Sequence, residues 1–262
     1  MPDHGPNLFA GAAPHYVLHR PRYSPGLFPL LADRLGLDGA STVLDLGCGP
    51  GTLTVPLAGW CGCVIGVDPG PGMLDLARAR VADAGLQNVE LVAGLAEELP
   101  AWIDRLRAAV MGRSFHWMDR EVVLEELDRR IEPDGAVVLV RTTSGNRAPW
   151  QHAVEPLIER YLGEGARRSG RDRSVRDHLD VIAASPFAVV EQIELPPVEH
   201  RWTVDSAVGY LHSVSHSAPH HFGDRLGAYD AELRAALAAV LPPDGLAAEV
   251  VTSVVIARRN TP

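Results

Sequence analysis

The sequence predicts an α/β fold: a Rossmann-like doubly wound sheet of seven strands, mostly parallel with an antiparallel last strand, plus helical lid insertions. Three observations carry this. Short apolar runs alternate with helical patterns from Thr42 to Thr142. Two of those runs, "TVLDL" (42–46) and "CVIGVD" (63–68), carry an acid at or near the end and lead into glycine-rich turns. A final apolar run, "EVVTSVVIAR" (249–258), follows a long, largely helical block.

Taken in order, Arg22 to Gly36 reads as a helix, with Leu27, Leu30, Leu31 and Leu35 on one face. "TVLDL" is a strand and "TLTVPLAGW" (52–60) a helix. "CVIGVD" is a strand and "GMLDLARARVADAG" (72–85) a helix. "VELVAG" (89–94) and "AAVMG" (108–112) are strands. "REVVLEELDRRI" (120–131) is a helix and "AVVLVRT" (136–142) a strand. The rhythm then breaks. Residues 149–162 read as a helix, 163–178 as a polar Arg-rich stretch, "FAVVEQIEL" (187–195) as a strand and 203–241 as mostly helical. The expected organisation is one structural domain: an N-terminal helix and cofactor-binding core over 1–142, then over 143–262 the rest of the sheet with insertions at about 143–186 and 197–247.

Composition narrows the function. The 262 residues suit one large domain, and 46% apolar with 22% charged residues is ordinary for a globular chain. No run is long enough to span a bilayer, and the N-terminus lacks a basic stretch followed by an apolar core, so a cytoplasmic location without a membrane is expected. The formal net charge of −9 opposes a general nucleic-acid binder. "RRSGRDRSVRDH" (Arg167 to His178) is the one basic stretch, diluted by aspartates. Three cysteines without a CxxC pair predict neither a disulfide framework nor a structural zinc site.

The glycines separate two cofactor classes. The dinucleotide fingerprint GxGxxG requires glycine at position 52, which is Thr52. Gly47, Gly49 and Gly51 form GxGxG instead, preceded by Asp45. A carboxylate beside the turn opposes a phosphate but suits an ammonium group. Asp68, ending the next strand, is placed to accept from ribose hydroxyls. A ligand with a ribose, an amino-acid ammonium and no phosphate is S-adenosylmethionine.

"VLDLGCGPGTLTVPLA", "VIGVDPGPGMLDLARA" and "GLAEELP" resemble, in order and spacing, the class I S-adenosylmethionine-dependent methyltransferases of the small-molecule, type 11-like group. The resemblance covers residues 10–142. It implies that Asp45, Gly47, Cys48 and Gly49 line the methionine portion and that Asp68 binds the ribose. It sets Pro69 and Met73 near ribose and adenine, and Ala96 and Glu97 by the adenine edge. Many relatives carry an acid where this chain has Leu95; either backbone groups replace it or Glu97 points elsewhere. "HYVLHRPRYS" (15–24) resembles the group's N-terminal segment. Tyr16, Arg20 and Tyr23 either cover the cofactor and meet its carboxylate or form a plain amphipathic helix.

"GRSFHWMDRE" (112–121) resembles the family's fourth motif and brings Ser114, Phe115 and His116 to cofactor and substrate. Trp117 is expected to pack on the helix that Asp119 caps. His116 is the candidate catalytic base, or else a hydrogen-bonding partner of cofactor or substrate. Arg141 and Thr143 end the fifth strand and face the acceptor. Arg141 either binds a carboxylate or phosphate there or pairs with an acid such as Asp119. The segment 200–225 is rich in histidine. Tyr210, His212, Ser215 or His216 contact the acceptor from a lid, or the histidines pack between helices; a metal site is not expected. Trp150, Trp202 and Phe222 either enclose the acceptor or build the core between inserted helices.

The expected function is methyl transfer to an oxygen, nitrogen or carbon atom of a small organic molecule in secondary metabolism, by a monomer or homodimer. An RNA or protein methyltransferase and a non-catalytic cofactor-binding protein are the alternatives.

Overall fold

The computed structural model describes residues 11–144, 149–163 and 175–260. Most of the basic stretch 167–178 lies outside them.

Eight strands form one sheet: β1 (Thr42–Leu46), β2 (Cys63–Asp68), β3 (Val89–Ala93), β4 (Leu106–Gly112), β5 (Ile131–Ser144), β6 (Val189–Glu194), β7 (Val198–Trp202) and β8 (Leu246–Arg258). The order is β3-β2-β1-β4-β5-β8-β6, with β7 also paired to β8. Strands β1 to β5 run parallel to one another, and β8 runs antiparallel to β5, β6 and β7.

The count is therefore eight strands rather than seven. The extra one, "VEHRW", has three polar residues in a row between Val198 and Trp202 and is only five residues long. It pairs with the first half of β8, Leu246 to Val250, while β6 pairs with the second half, Ser253 to Arg258. That division explains why β8 begins earlier than its apolar pattern suggests.

The helices are α1 (Ala13–His19), α2 (Leu27–Leu35), α3 (Thr54–Leu57), α4 (Pro71–Asp83), α5 (Arg120–Asp128), α6 (Pro149–Leu162), α7 (Val175–Ala183), α8 (Val204–His212) and α9 (Leu226–Ala238). Two are much shorter than their sequence patterns. In α2, Pro25 holds the preceding chain extended, so helix starts only at Leu27. In α3 only one turn forms.

Successive strand residues point to opposite faces. Leu44, Leu46, Ile65 and Val67 face one apolar layer with Phe115, Leu124 and Leu127, whereas Val43, Val64, Ala108 and Val110 face another with Leu27, Leu31 and Leu57. Ile182 of α7 and nearby Phe187 join the first layer. The stretch 143–186 therefore splits: α7 covers the sheet, and only α6 belongs with the later helices. A third cluster is built by Trp150, Trp202, Phe222, Tyr229 and Leu233 from α6, α8, α9 and their flanks. Thr203 caps α8 reciprocally with Ser206. Among the described residues no helix is long and apolar enough to cross a membrane.

Candidate functional site

The strand order reverses at β1, whose neighbours are β2 on one side and β4 on the other. In a doubly wound sheet this reversal opens a crevice at the carboxyl ends of the strands. A cavity of about 1440 Å³ lies there, lined by Asp45, Gly47, Cys48 and Gly49 after β1, Asp68, Pro69 and Met73 after β2, Ala96 and Glu97 after β3, and Ser114 after β4, with Tyr16 and Tyr23 from the N-terminal segment.

The turn after β1 depends on backbone that only glycine takes readily. Gly47 has φ of 71°. A Cβ there would sit 2.5 Å from Cβ of Ser114. Ser114 Oγ donates to the Leu46 carbonyl at 2.7 Å, locking the β4 tip against β1.

Both acids are held. Asp68 Oδ2 accepts from the Gly49 amide and Oδ1 from the Gly70 amide, each at 2.8 Å. Burial raises the Asp68 pKa, and the two amides oppose the rise. Asp45 is 1% exposed and accepts from the Thr54 hydroxyl at 2.6 Å. Burial pushes its pKa up to about 7 against that hydrogen bond. Glu97 Oε1 accepts from the Asp119 amide at 2.7 Å, so this carboxylate braces the start of α5 from within the cavity wall. Asp119 itself accepts from the Val122 amide as the helix cap.

A second cavity, about 600 Å³, lies beside the first over the ends of β5, β6 and β8. His116, Phe115, Arg20, Arg141, Thr143, Tyr210, Ser215 and His216 line it. Tyr16, Arg113, Ser114 and Trp117 line both cavities and form their common wall. His116 stands on the single 3-10 turn Phe115–Trp117, its ring 4.7 Å from that of Trp117. Trp117 thus sits between the cavities rather than only on α5.

Trp150 and His212 line neither of these two cavities. Trp150 is 1% exposed and packs on Trp202 with ring centres 5.0 Å apart. His212 is buried, with Nε2 2.9 Å from Asp230 Oδ1. The burial of Trp202 and Phe222 beside them settles the aromatics, apart from Tyr210, as helical core. Among the described residues no three histidine, cysteine or acidic side chains gather as metal ligands.

Arg113 is the residue that sequence reasoning missed. It follows β4 with φ of 59°, a strained value for a branched-chain or long side chain. Its guanidinium carbon lies 4.7 Å from the Tyr23 ring centre and 5.4 Å from that of Tyr16. Arg20 continues the stack, 4.9 Å from Tyr16 and 5.3 Å from Tyr210. Alternating Tyr23, Arg113, Tyr16, Arg20 and Tyr210 thereby join the N-terminal segment, the β4 tip and α8. The signal for it was one arginine directly before the Ser-Phe-His-Trp motif.

A twin-acid crevice at a strand-order reversal, with a glycine turn and no phosphate-binding fingerprint, defines a Rossmann-like protein for a cationic nucleoside cofactor. The comparisons with known proteins agree. A family model described as a methyltransferase domain matches residues 43–135. An uncharacterized methyltransferase of Mycobacterium tuberculosis is 34% identical over 184 residues, 70% of this chain and 67% of that protein. A ubiquinone biosynthesis O-methyltransferase of Azorhizobium caulinodans is 32% identical, over 64% of this chain and 69% of that protein. Two methyltransferase-like proteins of Schizosaccharomyces pombe are 31% and 30% identical, and the match spans 56% and 57% of their lengths. In structure, the YcgJ protein of Bacillus subtilis superposes with a TM-score of 0.59 at 17% identity, over 91% of this chain and 100% of that one, which is a likeness of fold. The chain belongs to the class I S-adenosylmethionine-dependent methyltransferases, and S-adenosylmethionine is its cofactor.

The first cavity fits that molecule. A Cβ added at Gly49 would meet nothing within 4 Å, so the backbone there borders open volume. Asp68 and Asp45 both line this volume. Both suit hydrogen-bond donors and positive charge, and neither suits a phosphate.

Proposed function

We propose that this protein is an enzyme that methylates an oxygen, nitrogen or carbon atom of a small organic molecule, with the acceptor bound in the second cavity. The observation that carries the reading is the shared wall: Tyr16, Arg113, Ser114 and Trp117 border both cavities, so molecules seated in the two are neighbours.

S-adenosylmethionine supplies an electrophilic methyl group on a sulfonium. In this reading Asp68 accepts from its ribose hydroxyls, and Asp45 with the Gly47–Gly49 turn faces its methionine portion. Pro69, Met73 and Ala96 pack on the nucleoside, with Glu97 beside them. The remaining task of the chain is alignment and exclusion of water. Tyr16 and Tyr23 cover the crevice, whereas Arg20, expected there, lines the second cavity and with Tyr210 and His216 closes the acceptor's side. His116 takes the acceptor's proton where the acceptor atom carries one.

A partly enclosed cavity and an overall charge of −9 support a small molecule over RNA or protein. Secondary metabolism in the cytoplasm, by a monomer or homodimer, completes the reading. The test is twofold. Titration with S-adenosylhomocysteine measures cofactor binding, and release of that product from S-adenosylmethionine is followed across a panel of small acceptors, RNA and protein. Binding without turnover on any acceptor would leave a cofactor-binding protein; turnover on RNA or protein alone would refute the small-molecule assignment.

A further inference from the structure

Arg20, Arg113 and Arg141 line the second cavity, and none of them forms an ion pair among the described residues. Glu194 is the one carboxylate in that lining. In a chain with nine more negative than positive charges, three guanidinium groups, that of Arg141 exposed, thus stand in one small space without an ion-pair partner among the described residues.

The hydrogen bonds sharpen the imbalance. Arg113 donates to the Tyr23 hydroxyl, the Pro21 carbonyl and the Thr142 hydroxyl, all neutral. Arg20 donates to the Ser213 carbonyl, also neutral. Arg113 Nη2, Arg20 Nε and Ser253 Oγ are buried and have no partner among the described residues. The residues that carry these atoms line this cavity, with the atoms themselves packed behind its surface. The two arginine nitrogens can only donate, and the serine can donate. Strand register sets Ser253 of β8 between Arg141 of β5 and Glu194 of β6. Arg141 and Glu194 are therefore two strands apart, and no ion pair joins them among the described residues.

A buried guanidinium without a counter-charge is costly, and stable proteins pair such groups or bind an anion with them. From this convergence of unpartnered donors and uncompensated cations we propose that the acceptor carries an anionic group, a carboxylate or a phosphate, held by Arg113 and Arg141 with Arg20 behind. Arg20 and Arg141 line the second cavity and not the first, so a carboxylate of S-adenosylmethionine seated in the first leaves them to the acceptor. This inference rests on the second cavity being the acceptor site, and it names the acceptor's chemical class.

The experiment uses the full chain, with and without S-adenosylhomocysteine. Calorimetric titrations compare benzoate, glutarate and phenyl phosphate with the neutral partners benzamide, glutaramide and benzyl alcohol. The expected result is at least one anion bound tenfold or more tighter than its neutral partner in the presence of S-adenosylhomocysteine. Carboxylate and phosphate arms separate the two sources of charge. Arg141→Gln, at an exposed position, should reduce that anion affinity at least fivefold while leaving S-adenosylhomocysteine affinity within twofold. Arg113→Met should abolish it, and Arg113→Lys should restore part of it.

Equal affinity for anions and neutral partners would overturn the proposal, as would absence of any anion binding or anion binding untouched by both substitutions. If Arg113→Met loses S-adenosylhomocysteine affinity but keeps the anion, its role here is overturned in favour of the cofactor's carboxylate. Failure of the native chain to bind S-adenosylhomocysteine would refute the methyltransferase reading separately; the anion arms without it still decide the charge of the ligand.

Discussion

Asp68, at the tip of β2, accepts the amide hydrogen of Gly49 at 2.8 Å and so ties the second strand to the turn that follows the first. The same carboxylate proposed above to accept from the ribose therefore also shapes the glycine turn. Its other oxygen accepts from Gly70 and holds the start of α4. One side chain thus fixes both the turn after β1 and the start of α4.

Asp68→Ala should accordingly weaken S-adenosylhomocysteine binding by at least tenfold, about 1.4 kcal/mol. Asp68→Asn keeps acceptor oxygen for one amide and should lose less. Calorimetry on both variants checks this, and an unchanged dissociation constant for Asp68→Ala would refute the ribose assignment.

Asp45 predicts a pH dependence. Burial raises its pKa from 3.8 to about 7 in the folded, ligand-free chain. A raised carboxyl pKa means that the fold disfavours the ionised form. The penalty is absent below about pH 4, grows between 4 and 7, and is full above 7. Asp45→Asn should therefore stabilise the ligand-free protein at pH 8, by up to about 4 kcal/mol as an upper bound, and leave it unchanged at pH 4. An ammonium group binds the ionised form, so cofactor affinity of the native chain should fall as pH drops below 7, by a limiting tenfold per unit. Thermal melts at the two pH values and titrations from pH 6 to 8 measure both.

His116 separates binding from chemistry. If it accepts the acceptor's proton, His116→Ala should lower turnover by roughly 10²–10⁴ with little change in S-adenosylhomocysteine affinity. A loss confined to affinity would make His116 a binding residue.

Gly47 tests the turn itself. Alanine there would combine a positive φ with a contact of 2.5 Å to Ser114 Cβ. Gly47→Ala should destabilise the chain by about 2 to 4 kcal/mol and displace Ser114 from Leu46. Denaturant unfolding measures the loss; a stability equal to that of the native chain would show that the turn relaxes without cost.

Much of the crevice was legible because the information is local. A strand ending near an acid, followed by glycines at alternate positions, encodes both a backbone conformation and a charge in one stretch of chain. Asp45, Gly47, Gly49 and Asp68 needed only strand alternation to be brought together, and the Ser-Phe-His-Trp turn needed only its place after a strand. The short polar strand β7 carried no comparable signal, because its identity depends on β8 lying beside it.

The amino-acid sequence by itself determined the α/β layering, the two acids of the cofactor crevice and the family, since periodicity and turn chemistry act between residues close along the chain. Only the tertiary structure decided that α7 covers the sheet, that Trp150 and His212 turn inward away from both cavities, and that Arg20, Arg113 and Arg141 meet in one space. Those outcomes depend on which buried faces find each other across distant segments, and on where a charge is left without a partner. Neither can be read from residues taken in order.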